Sequence, residues 1–511
     1  MKNNVLLINP AVNPASQNRI INESITKVIP TSLGYLAGYL EKIGTKGVSI
    51  IDEQIRYMTD LELEATVRAL SAPKIVGISV LTITCKRAHE IATKVKRCDR
   101  GATVVFGGIH ATVLPEEALN NENVDVVVRG EGEETLNELA DLMLKGKDFR
   151  HIQGISFKRS GSVIHNPDRP LMPDLNRIPL FPYHLFEKDI AEYTSFNLVF
   201  TSRGCPYNCK FCSSRNVAGK RYRYFEVERI IAEIRLLIDK YAQRMIWLVD
   251  DNPAAHRARF SELLDRIISG GLNKKAEFLC SMRGDNLDDG LLDKLKEANF
   301  RLVGFGLETG SEELMKIIDK GETVIEVADS IRKTSAKGIE TAATLIFGLP
   351  TETRKDRRDT MKLVGSLPLS SVRYNILTPY PGTEIFEELY RSGKLLIKEH
   401  WENFAVQYMW ESDDIPYVPE GNSRYELLFD TMFANLSFYF SFNGLKQMLR
   451  SSKAGGNVID LKDKWYLSFS TVFKLTRIFL YISRRFLVVS VKLIAEKRLS
   501  PYLRSRVKEG K

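Results

Sequence analysis

Three cysteines within eight residues, Cys205, Cys209 and Cys212 in TSRGCPYNCKFCSSR, are the part of this chain best equipped for chemistry. Gly204 and Pro206 let the backbone wrap tightly, so one short loop presents all three thiols. Three thiolates leave one iron of a [4Fe–4S] cluster without a protein ligand, which is an open coordination position. A structural zinc ion is the alternative, but it would want a fourth ligand. No further Cys or His stands close to the trio in sequence. Six cysteines in 511 residues do not make a disulfide framework, and a reducing compartment would oppose one.

The elements around this loop alternate short apolar runs with helical patterns. NLVFTSRG, MIWLVDD at 245–251, EFLCSMR at 277–283, LVGFGLE at 302–308, TAATLIFGLP at 341–350 and SVRYNILTPYPG at 371–382 read as six strands, each followed by a helix or turn. That pattern predicts an incomplete (βα)6 barrel of TIM type across 191–395, with the active face at the strand ends. The cysteines lie in the loop after its first strand. Residues 1–145 show a second alternation, VLLIN at 5–9, VSIID, IVGISVL at 75–81, ATVVFGG at 102–108 and VDVVVRG at 124–130, which predicts a doubly wound parallel sheet of flavodoxin or Rossmann type. Its strand ends carry Asn9, Ser79, Gly107, Gly108, His110, Gly130 and Glu131, where ligands of such sheets bind. Residues 146–190, with a short strand pair around GISFKRSGSVIH and the stretch NPDRPLMPDLNRIPLFP, read as a linker, and 396–511 as an α-helical C-terminal region.

The CxxxCxxC pattern with Phe211 before its last cysteine resembles the signature of the radical SAM superfamily. That resemblance implies a [4Fe–4S] cluster whose open iron is chelated by S-adenosylmethionine (SAM), and reductive cleavage to a 5′-deoxyadenosyl radical. It also implies SAM contacts from Asp250, Asp251 and Asn252 after the second strand, and from Arg283 in CSMRGDNL. Glu308 in GFGLETGSEE would meet the ribose hydroxyls, and Gly348, Pro350 and Glu352 in LIFGLPTET would shape the adenine or ribose pocket. Tyr380, Pro381 and Gly382 are expected to face SAM or substrate, and Trp401 and Trp410 to line the substrate pocket.

Residues 1–145 are similar to the cobalamin-binding (B12-binding) domains fused to such barrels, through NP after the first strand, GGIHAT and VVRGEGEETL. No DxHxxG loop follows the first strand, so cobalamin is expected base-off without a histidine beneath it, and His110 is expected either to line the nucleotide-tail pocket or to be a structural histidine. Together these resemblances imply a cobalamin-dependent radical SAM enzyme: a methyltransferase acting on an unactivated carbon or, as the alternative, a cyclase of the porphyrin-ester or lipid ring-forming kind. A cobalamin-binding regulator or carrier is the non-enzyme reading, which the intact trio opposes. Methylthiotransferases carry further cluster cysteines before the barrel, whereas only Cys85 and Cys98 precede the trio here. Enzymes with auxiliary clusters need a cysteine-rich C-terminus, and no cysteine follows Cys280.

Composition bounds the rest. The chain is 44% hydrophobic and 27% charged, globular in character. Residues 441–511 hold sixteen Lys/Arg against four Asp/Glu, an excess of twelve within a net charge of +9. A helix over 465–499 gathers Ser470, Lys474, Arg477, Arg484, Arg485, Lys492 and Glu496 on one side and apolar residues on the other. It is expected either to lie in an anionic membrane surface or to pack on the barrel with its charges in water. The expected partners are a hydrophobic or lipid substrate and an electron donor of flavodoxin or ferredoxin type, with no nucleic acid. Without a signal-like N-terminus the expected location is cytoplasmic, with peripheral membrane contact.

Overall fold

The computed structural model describes residues 3–12, 27–44, 47–398, 401–405, 412–441, 477 and 479–497. Five strands, β1 (Val5–Asn9), β2 (Val48–Asp52), β3 (Ile75–Ser79), β4 (Thr103–Gly107) and β5 (Val126–Val128), run parallel in the order β2-β1-β3-β4-β5. They are rich in Val, Ile and Leu because both faces are covered. Val5, Leu7 and Val105 pack toward helices Thr31–Ile43 and Glu133–Leu144, while Leu6, Ile8, Val76 and Phe106 pack toward helix Cys85–Cys98. The order reverses between β1 and β3, the kind of crevice where such sheets take ligands.

The segment expected to be a linker is instead built into both domains. β6 (Ile155–Arg159) pairs antiparallel with β5, and β7 (Ser162–His165) with β6, so the open edge of the first sheet is covered. Beyond them Phe181, Tyr183, Phe186 and Tyr193 form an aromatic cluster with Phe196 at the entrance to the barrel. Pro-rich composition signalled irregular backbone correctly, but aromatic spacing decided that it packs.

The barrel strands are β8 (Leu198–Val199), β11 (Met245–Leu248), β12 (Glu277–Met282), β13 (Phe300–Glu308), β14 (Glu340–Phe347) and β15 (Ser371–Ile376), all parallel in that order. Between β8 and β11 a short antiparallel pair, β9 (Ser202–Arg203) and β10 (Arg223–Tyr224), brackets the cysteine loop. The β15 edge is closed by helix Arg424–Phe440: Asn435 and Tyr439 exchange hydrogen bonds of 2.9–3.3 Å with the backbone of Tyr374 and Val372. After β15 the chain returns to the first domain, where Phe386, Trp401 and Phe404 join the core beneath helix Cys85–Cys98.

Of the predicted C-terminal helix, residues 477 and 479–497 are helical; Ser470 and Lys474 lie outside the described residues. Phe486, Val489 and Leu493 pack inward, Phe486 stacking on Phe429 with centroids 5.1 Å apart. Three groups of the polar side find partners on the protein: Arg485 pairs with Asp413 at 2.7 Å, the exposed Lys492 bonds the same carboxylate, and Glu496 accepts from Ser423. Leu480, Leu487, Val491 and Ile494 are left exposed. The helix thus packs on the protein with Arg484 and Lys492 exposed to water, as in the packed reading, while Arg485 is turned onto Asp413.

One polar cluster joins the two sheets. Glu131 accepts from Arg223 at 2.7 and 2.9 Å and from Arg203 at 3.2 Å, while Arg203 also bonds Glu133 at 2.6 Å. Burial works to raise the pKa of Glu131, yet Arg223 and Arg203 together hold it below the ordinary carboxylate range. Its share of stability is present above that range and lost as pH falls through the lowered value. Glu131→Gln should lower unfolding stability by about 3 kcal/mol, because it takes the carboxylate from the buried Arg223 while Arg203 keeps Glu133. Urea denaturation with limited proteolysis between the domains measures this, and an unchanged profile would contradict the assignment.

Candidate functional site

The cysteine loop is built from its root. Asp250, at the end of β11, is buried and takes hydrogen bonds from Thr201 N (2.8 Å), Thr201 Oγ1 (2.9 Å), Ser202 Oγ (2.7 Å) and the Ser202 amide. Every one of those donors lies just before the cysteines. Gly204 then takes φ +88°, and a Cβ there would sit 2.4 Å from the Arg221 carbonyl, so the turn admits only glycine. Farther along, Lys210 donates its amide to Ile318 O (2.9 Å) and accepts from Ile385 N (3.2 Å), which ties the loop to two barrel segments. Cys205, Cys209 and Cys212 are half-buried free thiols, and burial pushes Cys209 up to about 11.

Tyr207, inside the motif, stacks under the Arg283 guanidinium at 3.7 Å and bonds Asn286, whose carbonyl accepts from Asn252 at 2.6 Å. Arg283 also pairs with Asp285 at 2.7 Å and donates to Lys320 O at 2.5 Å. Lys320 extends into the strand ends, 2.9 Å from Glu308 and 3.6 Å from Glu322. Glu308 stands at φ +58°, where the β13–β14 register shifts, a strained conformation that costs about 1–3 kcal/mol and clusters at functional positions.

Several expected contacts prove to have other work. Asp250 is consumed by the loop root, which corrects its assignment to SAM, whereas its neighbour Asp251 is exposed into a cavity. Gly348 (φ +86°) turns its missing Cβ toward Leu427 of helix Arg424–Phe440, at 3.0 Å, rather than toward a ligand. Glu352 is fully buried, accepts from Gly348 N at 2.5 Å and faces Arg357 at 3.3 Å, so it braces its own turn around Pro350. Asn9 is held by Asp52 at 2.8 Å.

Two cavities lie between the domains. The larger, about 330 Å³, is lined by Ser79, Gly107, Gly108, Gly130, Glu131 and Asp251 among others, with Tyr35, Phe200 and Arg203 closing it. A Cβ on Gly130 (φ +72°) would meet nothing within 4 Å, so open space stands over that strand end. The smaller, about 190 Å³, is lined by His110, Ser213, Tyr380 and Pro381. His110 is thus separated from the larger cavity, which favours the structural-histidine reading over the tail-pocket one: the helix starting at Ile109 turns the imidazole onto Thr82 and Glu117. Trp401 packs on His110, Phe386 and Phe404 and is not among the residues lining either cavity; Trp410 lies outside the described residues. Gly382 (φ +78°) marks the closest approach, since a Cβ there would lie 2.6 Å from Asn216 and 2.7 Å from Val113.

These features fit the implied groups. Among the described residues the cysteine trio is not a set whose ligand atoms gather within 4.8 Å. A single zinc ion would draw its sulfurs to about 3.8 Å from one another, whereas a cluster takes each thiolate at a different iron. The glycine-lined strand ends offer an opening for a tetrapyrrole's tail, and none of the described lining residues of the larger cavity is a histidine. Reading motifs missed Lys320, Arg203 and Arg223. Only the position of Arg203 directly before Gly204-Cys205 could have signalled its role.

Burial pushes Glu352 up to about 7 despite its bonds from Gly348 and Arg357. A carboxyl raised in the folded state stabilises fully below its unfolded value, and that contribution is lost as pH rises through about 7. Glu352→Gln should remove this loss, so the variant gains on the native chain between pH 5 and 8. Denaturant midpoints across that range test it, and parallel pH profiles would contradict it.

Comparison with known proteins agrees with the geometry. The model of the Radical SAM superfamily matches residues 199–364, and that of the B12 binding domain matches 20–140. An uncharacterized methyltransferase of Pyrococcus horikoshii is 33% identical over 380 residues, covering 74% of this chain and 82% of its own. The anaerobic magnesium-protoporphyrin IX monomethyl ester cyclase of Rubrivivax gelatinosus is 27% identical over 80% of this chain and 73% of its own. In fold, a radical S-adenosylmethionine methyltransferase of Kitasatospora setae, solved with cobalamin and a [4Fe-4S] cluster, superposes with a TM-score of 0.67 at 19% identity, over 89% of this chain and all of that one. With its cysteine loop at the mouth of a six-stranded barrel and a doubly wound domain facing it, the chain belongs to the radical SAM superfamily, among the enzymes that carry an N-terminal B12-binding domain.

Proposed function

We propose that this enzyme is a cobalamin-dependent methyltransferase acting on an unactivated carbon of a hydrophobic substrate. The observation that carries the reading is the 330 Å³ cavity, where the glycine-rich strand ends of the first sheet meet Asp251 and the root of the cysteine loop in one chamber. When bound, the cluster with SAM supplies one-electron hydrogen abstraction, and cobalamin supplies the methyl group. Cys205, Cys209 and Cys212 would hold the cluster. Asp251 would accept from the SAM amine, and Lys320 with Arg283 would offer positive charge to its carboxylate. Glu308, already held in a strained conformation, would take the ribose hydroxyls. Pro350 and Gly348 set the turn beside them, and Tyr380 faces the substrate side. Ser79, Gly107, Gly108 and Gly130 leave room for the cobalamin tail. The apolar wall of Leu7, Leu33, Leu36 and Phe200 excludes water from reactive groups.

The similarity to an anaerobic porphyrin-ester cyclase supports ring formation as the second reading. Anaerobic turnover with reductant, SAM, cobalamin and a membrane-lipid extract separates them. 5′-Deoxyadenosine together with S-adenosylhomocysteine, both lost in Cys209→Ala, is the expected result. 5′-Deoxyadenosine alone would contradict methyl transfer and leave cyclisation.

The hydrophobic substrate suits a protein that meets a lipid surface. No helix among the described residues is long and apolar enough to cross a membrane. The exposed row Leu480, Leu487, Val491 and Ile494, beside a tail with an excess of twelve positive charges, suits an anionic bilayer interface. Full-length protein should co-sediment with anionic vesicles and not with zwitterionic ones, and the double variant L487E/V491E should remain in the supernatant. Equal partitioning of native and variant chains would contradict the contact.

A further inference from the structure

We propose that Cys85, His110 and Glu117 form a zinc-type divalent metal site, separate from the cluster cysteines. Their ligand atoms lie within 4.8 Å of one another. His110 Nε2 stands 3.0 Å from a Glu117 oxygen, and Cys85 Sγ stands 3.8 and 3.9 Å from the two Glu117 oxygens. A tetrahedral zinc ion with bonds of about 2.0–2.3 Å needs ligand pairs separated by about 3.3–3.8 Å. The observed edges bracket that range, so small side-chain shifts would close the site.

The donor set is chemically apt. Thiolate, imidazole and carboxylate together suit a borderline-soft cation better than magnesium or calcium, which prefer oxygen alone. His110 Nδ1 faces Thr82 Oγ1 at 3.3 Å, an outer partner of the kind that orients a ligating imidazole and leaves Nε2 for the ion. Cys85 and His110 are almost fully buried, and the Trp401 ring packs on the imidazole with centroids 5.4 Å apart. Glu117 keeps 34% of its side-chain surface exposed, which admits a water as fourth ligand.

The three ligands come from three elements that follow neighbouring strands β3 and β4, namely helices Cys85–Cys98, Ile109–Val113 and Pro115–Asn120. An ion there would fasten the wall of the smaller cavity, which carries His110 and faces Tyr380. Sequence spacing hid the site, since 25 and 7 residues separate its members.

The test uses the full chain with its cluster reconstituted anaerobically, then loaded with zinc chloride, gel-filtered and assayed for zinc by mass spectrometry. About one zinc per chain is expected. Cys85→Ser and the partly exposed Glu117→Gln should each lower retention by about tenfold or more, while Cys209→Ser leaves it unchanged. Should Cys85→Ser fail to fold, Glu117→Gln alone decides. Zinc far below one per chain, or zinc that vanishes with Cys209→Ser and persists in Glu117→Gln, would overturn the proposal.

Discussion

The structure turns on one carboxylate held between two arginines. Glu131 leaves the end of β5 and meets Arg203 and Arg223, the residues that bracket the cysteine loop in β9 and β10. Neither domain can shift against the other without stranding a buried charge, a cost of several kcal/mol. The residue that seemed suited to touch a cofactor instead fixes the geometry of the chamber in which cofactors would face each other. Gly382 adds a steric limit to the same approach, because any side chain there would strike Asn216 and Val113.

The barrel mouth is prepared in a similar way. Arg283, Lys320, Glu308 and Glu322 neutralise one another before any ligand arrives, and Tyr207 couples that network to the cysteine loop through its ring and hydroxyl. A ligand with an ammonium, a carboxylate and vicinal hydroxyls can exchange these pairings one for one, so binding need not desolvate isolated charges. The strained backbone of Glu308 is maintained by that surrounding framework.

Much of this was legible from the sequence. Strand runs of Val, Ile and Leu flanked by glycine marked both sheets, and CxxxCxxC marked the loop, because cluster ligation demands thiols at fixed short spacing. What sequence could not reveal depends on long-range geometry. Asp250 and Asp251 are adjacent and alike, yet one is buried beneath Thr201 and Ser202 while the other opens into the cavity. Glu352 belongs to a recognisable motif but serves its own turn. On the polar side of the C-terminal helix, Arg485 is turned from water by Asp413, some seventy residues away, a counter-charge that no local pattern marks. The segment after residue 146 read as a linker since pairing of β6 with β5 leaves no local mark beyond alternation.

Both cofactors would occupy the single chamber fastened by Glu131. Pulsed dipolar EPR on the reconstituted enzyme, with cob(II)alamin and the reduced cluster present together, tests it most directly. A resolved dipolar interaction between the two paramagnets is expected, weakened and broadened in Glu131→Gln. Stoichiometric loading of both centres without measurable coupling would place them in separate compartments and contradict the account.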